Sequence, residues 1–480
     1  MQIFVHRLLI ISMIMLIYPI SGVAEDHSEY LEGPFYSVHE VTEACLDCHD
    51  DAAESFMQSI HWTWGTDQNL PQNNRSATVG KRTVLNNYCI GLESNEARCT
   101  SCHAGYGWKD ASFDFEDPMN IDCLVCHENT GTYQKFPTKA GYPVDKETEF
   151  PQGSGKLFKV PDLEKIARSV GEPPTRAACG SCHYYGGGGN NVKHGDLDAV
   201  LINPSRELDV HMGGANMLCV DCHKTNDHTI TGNAMSVSTQ TSETLTCESC
   251  HGETPHEKNA HYLDAHAKTL ACQSCHIPAF ARANPTKMSW DWSQAGDSER
   301  KVNQDENGMP DYNKKKGAFV WGKNVVPTYA WYNGDSKRML LGDQIDLNKI
   351  NTIVAPIGSK ADKSSKIYPF KVHTGKQIAD KKNKYLLPTH LFNGGYWDHF
   401  DWEKSVTVGA EKSGIEYSGS YTFVETEMYW DINHMVAPKE EALKCKSCHS
   451  KTKDTRMDWK SLEYESDPRY TKGQSRTSMQ

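Results

Sequence analysis

Apolar residues form one continuous run near the start of the chain and are dispersed among polar positions elsewhere. The run is Leu8–Ile20; His6 and Arg7 precede it, and Gly22–Ala24 provides small residues for cleavage. It is shorter than the roughly 20 residues that a membrane-spanning helix needs. We therefore predict that residues 1–24 are a secretory signal and that the mature protein is soluble and periplasmic.

The pattern after the signal predicts short helices and loops interrupted by Gly and Pro, as at Pro173-Pro174 and Gly186–Gly189. In the last third, Tyr417–Val424 alternates as a strand does, and Pro438–Leu443 is typical of a helix. The expected fold class is mainly α and loop-rich, with a few short strands in the C-terminal half.

One motif, Cys-x-x-Cys-His, occurs eight times and changes this picture. Two thiols at this spacing reach the two vinyl groups of a porphyrin, and the adjacent imidazole meets the iron, so each copy is interpreted as a c-type haem attachment site. Zinc or thiol–disulfide sites explain neither the repeated His nor the number of copies. The copies are Cys45–Cys48–His49, Cys99–Cys102–His103, Cys123–Cys126–His127, Cys179–Cys182–His183, Cys219–Cys222–His223, Cys247–Cys250–His251, Cys272–Cys275–His276 and Cys445–Cys448–His449. The sequence predicts eight covalently attached haem c groups and a multihaem cytochrome c.

The composition agrees with a haem-dominated core. Only 38% of the 480 residues are apolar and the mean hydropathy is −0.63, so porphyrins are expected to supply the missing apolar volume. The motifs use sixteen of the seventeen cysteines, which leaves Cys89 alone and excludes an internal disulfide. The net charge of −12 argues against nucleic acid as a partner and suits docking to an electron donor, which is either a redox partner protein or a quinol-linked cytochrome.

The motifs divide the chain unevenly. Seven lie between residues 45 and 276, and the eighth follows 173 residues after the start of the seventh. We predict a haem-binding body at 25–284 and a haem-poor region at 285–480 that packs back on the body and carries the eighth motif.

Histidines outside the motifs are the candidates for second axial ligands. Of the 22 histidines, thirteen lie outside both the motifs and the signal, enough to close all eight irons, so counting alone does not demonstrate an open haem. Proximity to motifs favours seven of them: His61, His194, His211, His228, His256, His266 and His434. The others are interpreted as ordinary histidines: His27, His39, His261, His373, His390 and His399.

Two stretches resemble the octahaem tetrathionate reductase family. One comprises Asn86–Cys89 and Glu96–Lys109, and the other runs from Cys179–Gly189 to Val192–Asp198. The resemblance implies seven haems with two His ligands and one haem, on Cys99–Cys102, with His103 on one side and a lysine on the other.

The resemblance also assigns residues to the site of that haem. Lys193 matches the ligating lysine, and Asn86 and Cys89 match residues that line its pocket. Three positions before the lysine the family has an acid, and this chain has Asn190. A lysine binds iron only as a neutral amine, so its pKa must be lowered by burial and by the metal. Cys89 is a candidate for thiol exchange with a sulfur–sulfur bond.

Three function classes follow from these observations. The first is a periplasmic reductase of small substrates, tetrathionate and/or nitrite and hydroxylamine, fed by bis-His haems. The second is a pure electron-transfer cytochrome with eight closed haems. The third is an oxidase resembling hydroxylamine oxidoreductase. Lys193 and Cys89 favour the reductase.

Overall fold

The computed structural model describes residues 27–72, 74–88, 91–171, 173–238, 245–452 and 455–471. The predicted signal and Cys89 lie outside the described residues. Within those ranges, every helix is too short or too polar to cross a bilayer.

The helices of the described ranges are all short, and most of them carry or flank an attachment motif. The α-helices are α1 Val38–Leu46, α2 Ala52–Met57, α3 Ile60–Thr63, α4 Glu96–Cys99, α5 Leu124–His127, α6 Leu163–Arg168, α7 Arg176–His183, α8 Cys219–Cys222, α9 Glu248–His251, α10 His261–Ala267, α11 Gln273–His276, α12 Tyr396–His399, α13 Trp402–Lys412 and α14 Cys445–Cys448. The 3-10 helices are His27–Glu29, Thr100–Cys102, Pro118–Asn120, Ala199–Ile202, Lys258–Ala260, Trp292–Gln294 and Lys439–Glu441, and Val210–Gly214 is a π-helix.

Local hydrogen bonds explain why these helices begin where they do. Ser37 accepts from the N–H of Glu40 at the start of α1, and Thr175 accepts from the N–H of Ala178 at the start of α7. Most attachment motifs close one helical turn, as where the N–H of His276 donates to the carbonyl of Cys272 at 3.0 Å. This turn places both thiols and the imidazole of a motif on one side of the backbone.

The strands gather in the C-terminal half. They are β1 Thr66–Leu70, β2 Arg75–Val79, β3 Thr148–Glu149, β4 Leu157–Phe158, β5 Thr225–Asn226, β6 Thr229–Ile230, β7 Thr286–Asp291, β8 Tyr312–Asn313, β9 Gly317–Gly322, β10 Thr328–Tyr332, β11 Ser336–Arg338, β12 Asn351–Pro356, β13 Lys366–Asp380 and β14 Tyr421–Asp431. The first six form three separate two-stranded hairpins.

The remaining strands form one eight-stranded sheet in the order β11–β12–β14–β13–β7–β9–β8, with β10 paired to the beginning of β13. Its centre is the long antiparallel pair β13–β14, in register from Phe370↔Asp431 to Asp380↔Tyr421. The predicted loop-rich fold with strands in the C-terminal half is confirmed. The predicted strand Tyr417–Val424 overlaps the observed one only from Tyr421, and the observed strand continues to Asp431. The helix predicted over Pro438–Leu443 is a single 3-10 turn.

The largest protein core lies on this sheet and includes Trp290, Ile353, Phe370, Met428 and Trp430. The same core includes Tyr88 and Val192 from the first half of the chain, so the sheet and that half share it. The long strand β13 touches the motif-bearing segments: the ammonium of Lys371 donates to the carbonyl of Val192 at 3.0 Å. The sheet thus forms a wall against which residues from the first half of the chain are held.

Candidate haem sites and the Lys193 region

Seven of the eight motif histidines face a histidine that lies outside the motifs. The ring centroids of all seven pairs are 6.0–6.5 Å apart. The pairs are His49 with His27, His183 with His61, His127 with His228, His251 with His211, His223 with His434, His276 with His256, and His449 with His266.

This separation fits an iron atom between the two rings. Two metal–nitrogen bonds of about 2 Å, with about 1.1 Å from each nitrogen to its ring centre, give about 6.2 Å. Ordinary aromatic contacts span a similar range of distances. They do not explain why seven motif histidines each pair with a different histidine from outside the motifs. The residues therefore fit haem groups at these seven motifs.

The second ring nitrogen of many of these histidines is held by a fixed acceptor. The Nδ1 of His256 lies 2.6 Å from the carboxylate of Asp264, and the Nδ1 of His449 lies 2.6 Å from that of Asp467. Such bonds fix the tautomer and leave Nε2 for the metal. The same arrangement joins His434 to Asp196, His228 to Ser55, His223 to the Thr231 carbonyl and His266 to the Tyr262 carbonyl.

Burial keeps several of these imidazoles neutral, which is the form that binds iron. Burial lowers the pKa of His183 to about 3 and also lowers the pKa of its partner His61.

The motifs adjoin one another in a continuous series. Thiols of different motifs are in contact in four pairs: Cys45 with Cys123, Cys102 with Cys182, Cys179 with Cys219, and Cys247 with Cys272. Three further pairs interact electrostatically: Cys126 with Cys179, Cys222 with Cys250, and Cys275 with Cys448. Numbered along the chain, the motifs connect in the order one, three, four, five, six, seven, eight, and the second adjoins the fourth.

The second motif differs from the others in backbone and surroundings. Its last residues form a 3-10 turn, in which the N–H of His103 donates to the Thr100 carbonyl at 2.8 Å instead of to the first cysteine. The His103 ring is fully buried, its Nε2 lies 2.7 Å from the Trp62 carbonyl, and burial lowers its pKa to about 3. The rings around it are Trp62, Trp64, Trp108, Phe113 and Phe115. Among the described histidines, none faces His103 as a ring partner.

Lys193 follows the fourth motif, whose Cys182 contacts Cys102 of the second. Its ammonium lies 4.8 Å from the ring centre of Trp430, a residue of β14. The neighbouring His194 also packs on Trp430, at 5.2 Å between ring centres, and it is absent from the seven facing pairs.

The segment that holds Asn86 is hydrogen-bonded to β13, a strand of the same sheet against which Lys193 lies. The amide of Gln377 donates to the Asn86 carbonyl at 2.9 Å, and the Asn87 side chain pairs with His373 at 2.8 Å. The Tyr88 hydroxyl lies 3.0 Å from the carbonyl of Lys193. Burial raises the pKa of Tyr88, so this hydroxyl stays protonated and donates. Asn86 and Lys193 are therefore brought to one region, and Cys89, next after Tyr88, lies outside the described residues.

Asn190 is occupied in a turn beside the lysine. Its amide donates to the Asp198 carboxylate at 2.8 Å, and its oxygen accepts from the N–H of Ala199 at 2.8 Å. An ionised acid at this position would lie against the Asp198 carboxylate and would have no N–H to donate to it.

A cavity of about 260 Å³ lies beside the Asn86 segment. Leu85, Gly91, Glu93, Leu340 and Pro388 line part of its wall. Burial raises the pKa of Glu93, the carboxyl group in this lining.

Sequence reasoning missed two kinds of residue. The first is His27, which the sequence predicts to be an ordinary histidine and whose ring faces His49. By contrast, both ring nitrogens of His39 are occupied, by the Met119 carbonyl and the Tyr142 hydroxyl. The polar residues Lys371, His373 and Gln377 of β13 were also missed. Their spacing of two and four residues, which puts them on one face of a strand, was the available signal.

Two family models match this chain. One is described as bacterial cytochrome c and matches residues 287–452, and the other, cytochrome c554 and c-prime, matches residues 44–128. An uncharacterized protein from Archaeoglobus fulgidus is 25% identical over 237 residues, which are 42% of this chain and 79% of that relative.

A solved structure extends the likeness to nearly the whole chain. The crystal structure of octaheme cytochrome c from Shewanella oneidensis has a TM-score of 0.84 and 47% identity, covering 94% of this chain and 99% of that one. The fold and nearly half of the residues are thus shared over almost the whole length of both chains. The chain belongs to the octahaem c-type cytochromes, which bind haem covalently through Cys-x-x-Cys-His motifs.

Proposed function

We propose that this chain carries eight haems in the periplasm and acts as a reductase at the second motif, Cys99–Cys102–His103. Tetrathionate, nitrite and hydroxylamine are its candidate substrates, and Lys193 is the proposed second ligand of that haem. The observation that supports this proposal is the asymmetry among the motifs. Seven motif histidines face another histidine, and His103, among the described residues, does not.

When bound, the haem at the second motif supplies electrons and an iron coordination position. The protein supplies a site around this haem from which water is excluded. The aromatic side chains around His103 exclude water, and burial keeps the imidazole neutral, which is the form that binds iron. Lys193 must present a neutral amine, and its position against the Trp430 face favours desolvation of that amine.

The series of adjoining motifs supports delivery of electrons to one site. The second motif adjoins the series at the fourth, through Cys102 and Cys182, and the series extends from there in both directions. An eight-haem array holds enough electrons for the six-electron reduction of nitrite. A periplasmic redox protein is the proposed donor.

Pure electron transfer is the second candidate function. The contact between the His103 Nε2 and the Trp62 carbonyl, inside a closed aromatic shell, favours a site without access for substrate. This alternative predicts that no substrate changes the spectrum of the oxidised or reduced protein.

The two functions are separated by turnover of the purified holoprotein with a chemical reductant and each of the three substrates. Low-temperature EPR of the oxidised protein is recorded alongside. We expect one haem signal distinct from the bis-His signals, and turnover of at least one substrate. Lys193→Leu is expected to remove that signal and the turnover while all eight haems stay attached. Lys376→Leu, a partly exposed lysine of β13, is the matched control.

Eight bis-His signals and no turnover would reject the reductase in favour of the electron conduit. Unchanged turnover in Lys193→Leu would remove Lys193 from the mechanism even if the wild type is a reductase. Cys89→Ser then tests the sulfur route separately, because thiol exchange serves tetrathionate and has no role with hydroxylamine.

A further inference from the structure

Lys371 is a fully buried lysine whose ammonium group meets three oxygen atoms. It lies 2.8 Å from the Lys193 carbonyl, 3.0 Å from the Val192 carbonyl and 2.6 Å from the hydroxyl of Thr286. The Thr286 hydroxyl itself donates to the Asn191 carbonyl at 2.6 Å. An ammonium has three protons, and here each one has an acceptor.

A buried lysine lowers the stability of the fold unless its hydrogen bonds offset the cost of burying the amine. Burying a charged amine away from water is unfavourable, and burial lowers the pKa of Lys371. Within the described residues, no carboxylate forms an ion pair with it; the charge of Asp196 acts on it only from farther away. An apolar residue would fill the same volume at lower cost, so the three hydrogen bonds are the distinctive contribution of this side chain.

Two of the three bonds reach the short backbone segment that carries Lys193, and the third reaches it through the Thr286 hydroxyl. Tyr88 donates to the same two carbonyls, at 3.3 Å to Val192 and 3.0 Å to Lys193. On the other side of Lys193, Gly195 has a φ of +93°, and an added Cβ would meet Phe280 at 2.8 Å. The backbone around Lys193 is therefore fixed from both sides. Lys371, Tyr88 and Thr286 each make two hydrogen bonds to its carbonyls, and Lys371 also holds the Thr286 hydroxyl in place.

We propose that Lys371 is a positioning residue that aims the Lys193 amine at the haem of the second motif. This inference rests on the proposed function of Lys193. Lys371 touches neither substrate nor haem in this role. It sets the direction of the Lys193 side chain by holding the carbonyls of Val192 and Lys193, and misplacement of a ligating group by about 1 Å lowers activity about a hundredfold.

The test compares Lys371→Met with Lys371→Arg in the full-length holoprotein. Methionine keeps the apolar stem and removes all three donors, and arginine restores donors to the same oxygens. The readouts are haem content, the EPR signal of the haem on Cys99–Cys102, and kcat and KM for the substrate that the wild type turns over. Lys376→Met, on the same strand and partly exposed, is the control.

We expect Lys371→Met to keep eight haems, to lose or shift the distinct EPR signal, and to lower kcat about tenfold to a hundredfold with little change in KM. Lys371→Arg is expected to recover part of the signal. An unchanged signal and kcat in Lys371→Met would overturn the positioning role. If the wild type itself shows neither the signal nor turnover, the proposed function fails instead, so the two failures are distinguishable.

Lys371→Met is also expected to weaken the fold, and a second substitution covers the case in which no holoprotein is obtained. Thr286→Val removes the hydroxyl that accepts from Lys371 and that donates to the Asn191 carbonyl. A smaller shift of the same EPR signal in Thr286→Val supports the proposal. A wild-type signal in this variant contradicts it, because the hydroxyl is part of the same set of bonds.

Discussion

The imidazole of His27 faces that of His49 at 6.2 Å between ring centres, which places a histidine from the beginning of the described chain opposite the first motif. His27 lies in a 3-10 turn and joins no regular helix of the body. This relationship completes a set in which each motif histidine except His103 has a histidine across from it.

Replacement of His27 by Gln should remove the second axial ligand of the haem at the first motif. The thioether bonds keep that haem attached, so the haem content is expected to stay at eight. One bis-His signal should be lost from the EPR spectrum, and a high-spin signal should appear. His261→Gln, an exposed histidine, serves as the control and should leave the spectrum unchanged. An unaltered spectrum in His27→Gln would show that another residue closes this iron.

The sequence locates the Cys-x-x-Cys-His motifs directly, whereas it does not show which histidine faces which motif, and chain separation explains the difference. The motifs are local, whereas His61 faces His183 across more than a hundred residues and His228 faces the third motif from beyond the fifth. Six of the seven histidines that the sequence favoured do face a motif histidine. His194 packs on Trp430 instead, because β14 brings that ring to the Lys193 segment.

Polar residues on the buried face of β13 prevented prediction of the sheet from the pattern of hydrophobic residues. Strand β13 turns Lys371, His373 and Gln377 to its buried face, where all three are hydrogen-bonded to segments from the first half of the chain. A pattern of hydrophobic residues does not mark a buried face that is polar, so this wall of the candidate site required the structure.

Asp467→Asn should raise the reduction potential of the haem at the eighth motif, because Asp467 is hydrogen-bonded to His449. The Asp467 carboxylate accepts from the Nδ1 of His449 at 2.6 Å and from the N–H of Ser450 at 3.0 Å. A carboxylate in this position makes the imidazole a more electron-rich ligand. The neutral amide removes that effect, so the reduction potential of one haem should rise. Potentiometric titration measures the shift, and Asp458→Asn, an exposed turn residue, is the control. A titration curve identical to that of the wild type would argue against the contact.

Asn190→Asp should destabilise the protein at neutral pH. The amide of Asn190 donates to Asp198 at 2.8 Å, and the substitution replaces this bond with two carboxylates in contact. The loss of the bond and the repulsion should cost about 1–3 kcal/mol. The pKa of the new carboxyl would be raised by its neighbour, so stability should recover as the pH falls and the group is protonated. Thermal unfolding at pH 5 and pH 8 tests this sign, and equal losses at both values would contradict it.

Lys287, which lies in the core of the sheet, should make the stability of the fold depend on pH. Its ammonium lies 3.6 Å from the ring centre of Trp290 and 3.4 Å from that of Phe319, and the side chain is almost fully buried. Burial lowers the pKa of Lys287 well below its ordinary value, which outweighs the attraction of the rings for its charge. The unfolded chain then binds a proton that the folded chain releases, so this residue lowers stability at neutral pH, and stability rises as the pH approaches the ordinary lysine pKa of about 10.4.

Lys287→Met should therefore raise the midpoint of thermal unfolding at pH 7 and reduce its increase between pH 7 and pH 10. Methionine keeps the length of the side chain and its contacts with the aromatic rings. Lys315→Met, on the exposed turn between β8 and β9, gives the matched control and should change neither quantity. A lower midpoint at pH 7 would show that the cation–aromatic contacts outweigh the cost of burial, and the lysine would then be a stabilising part of this core because of its charge.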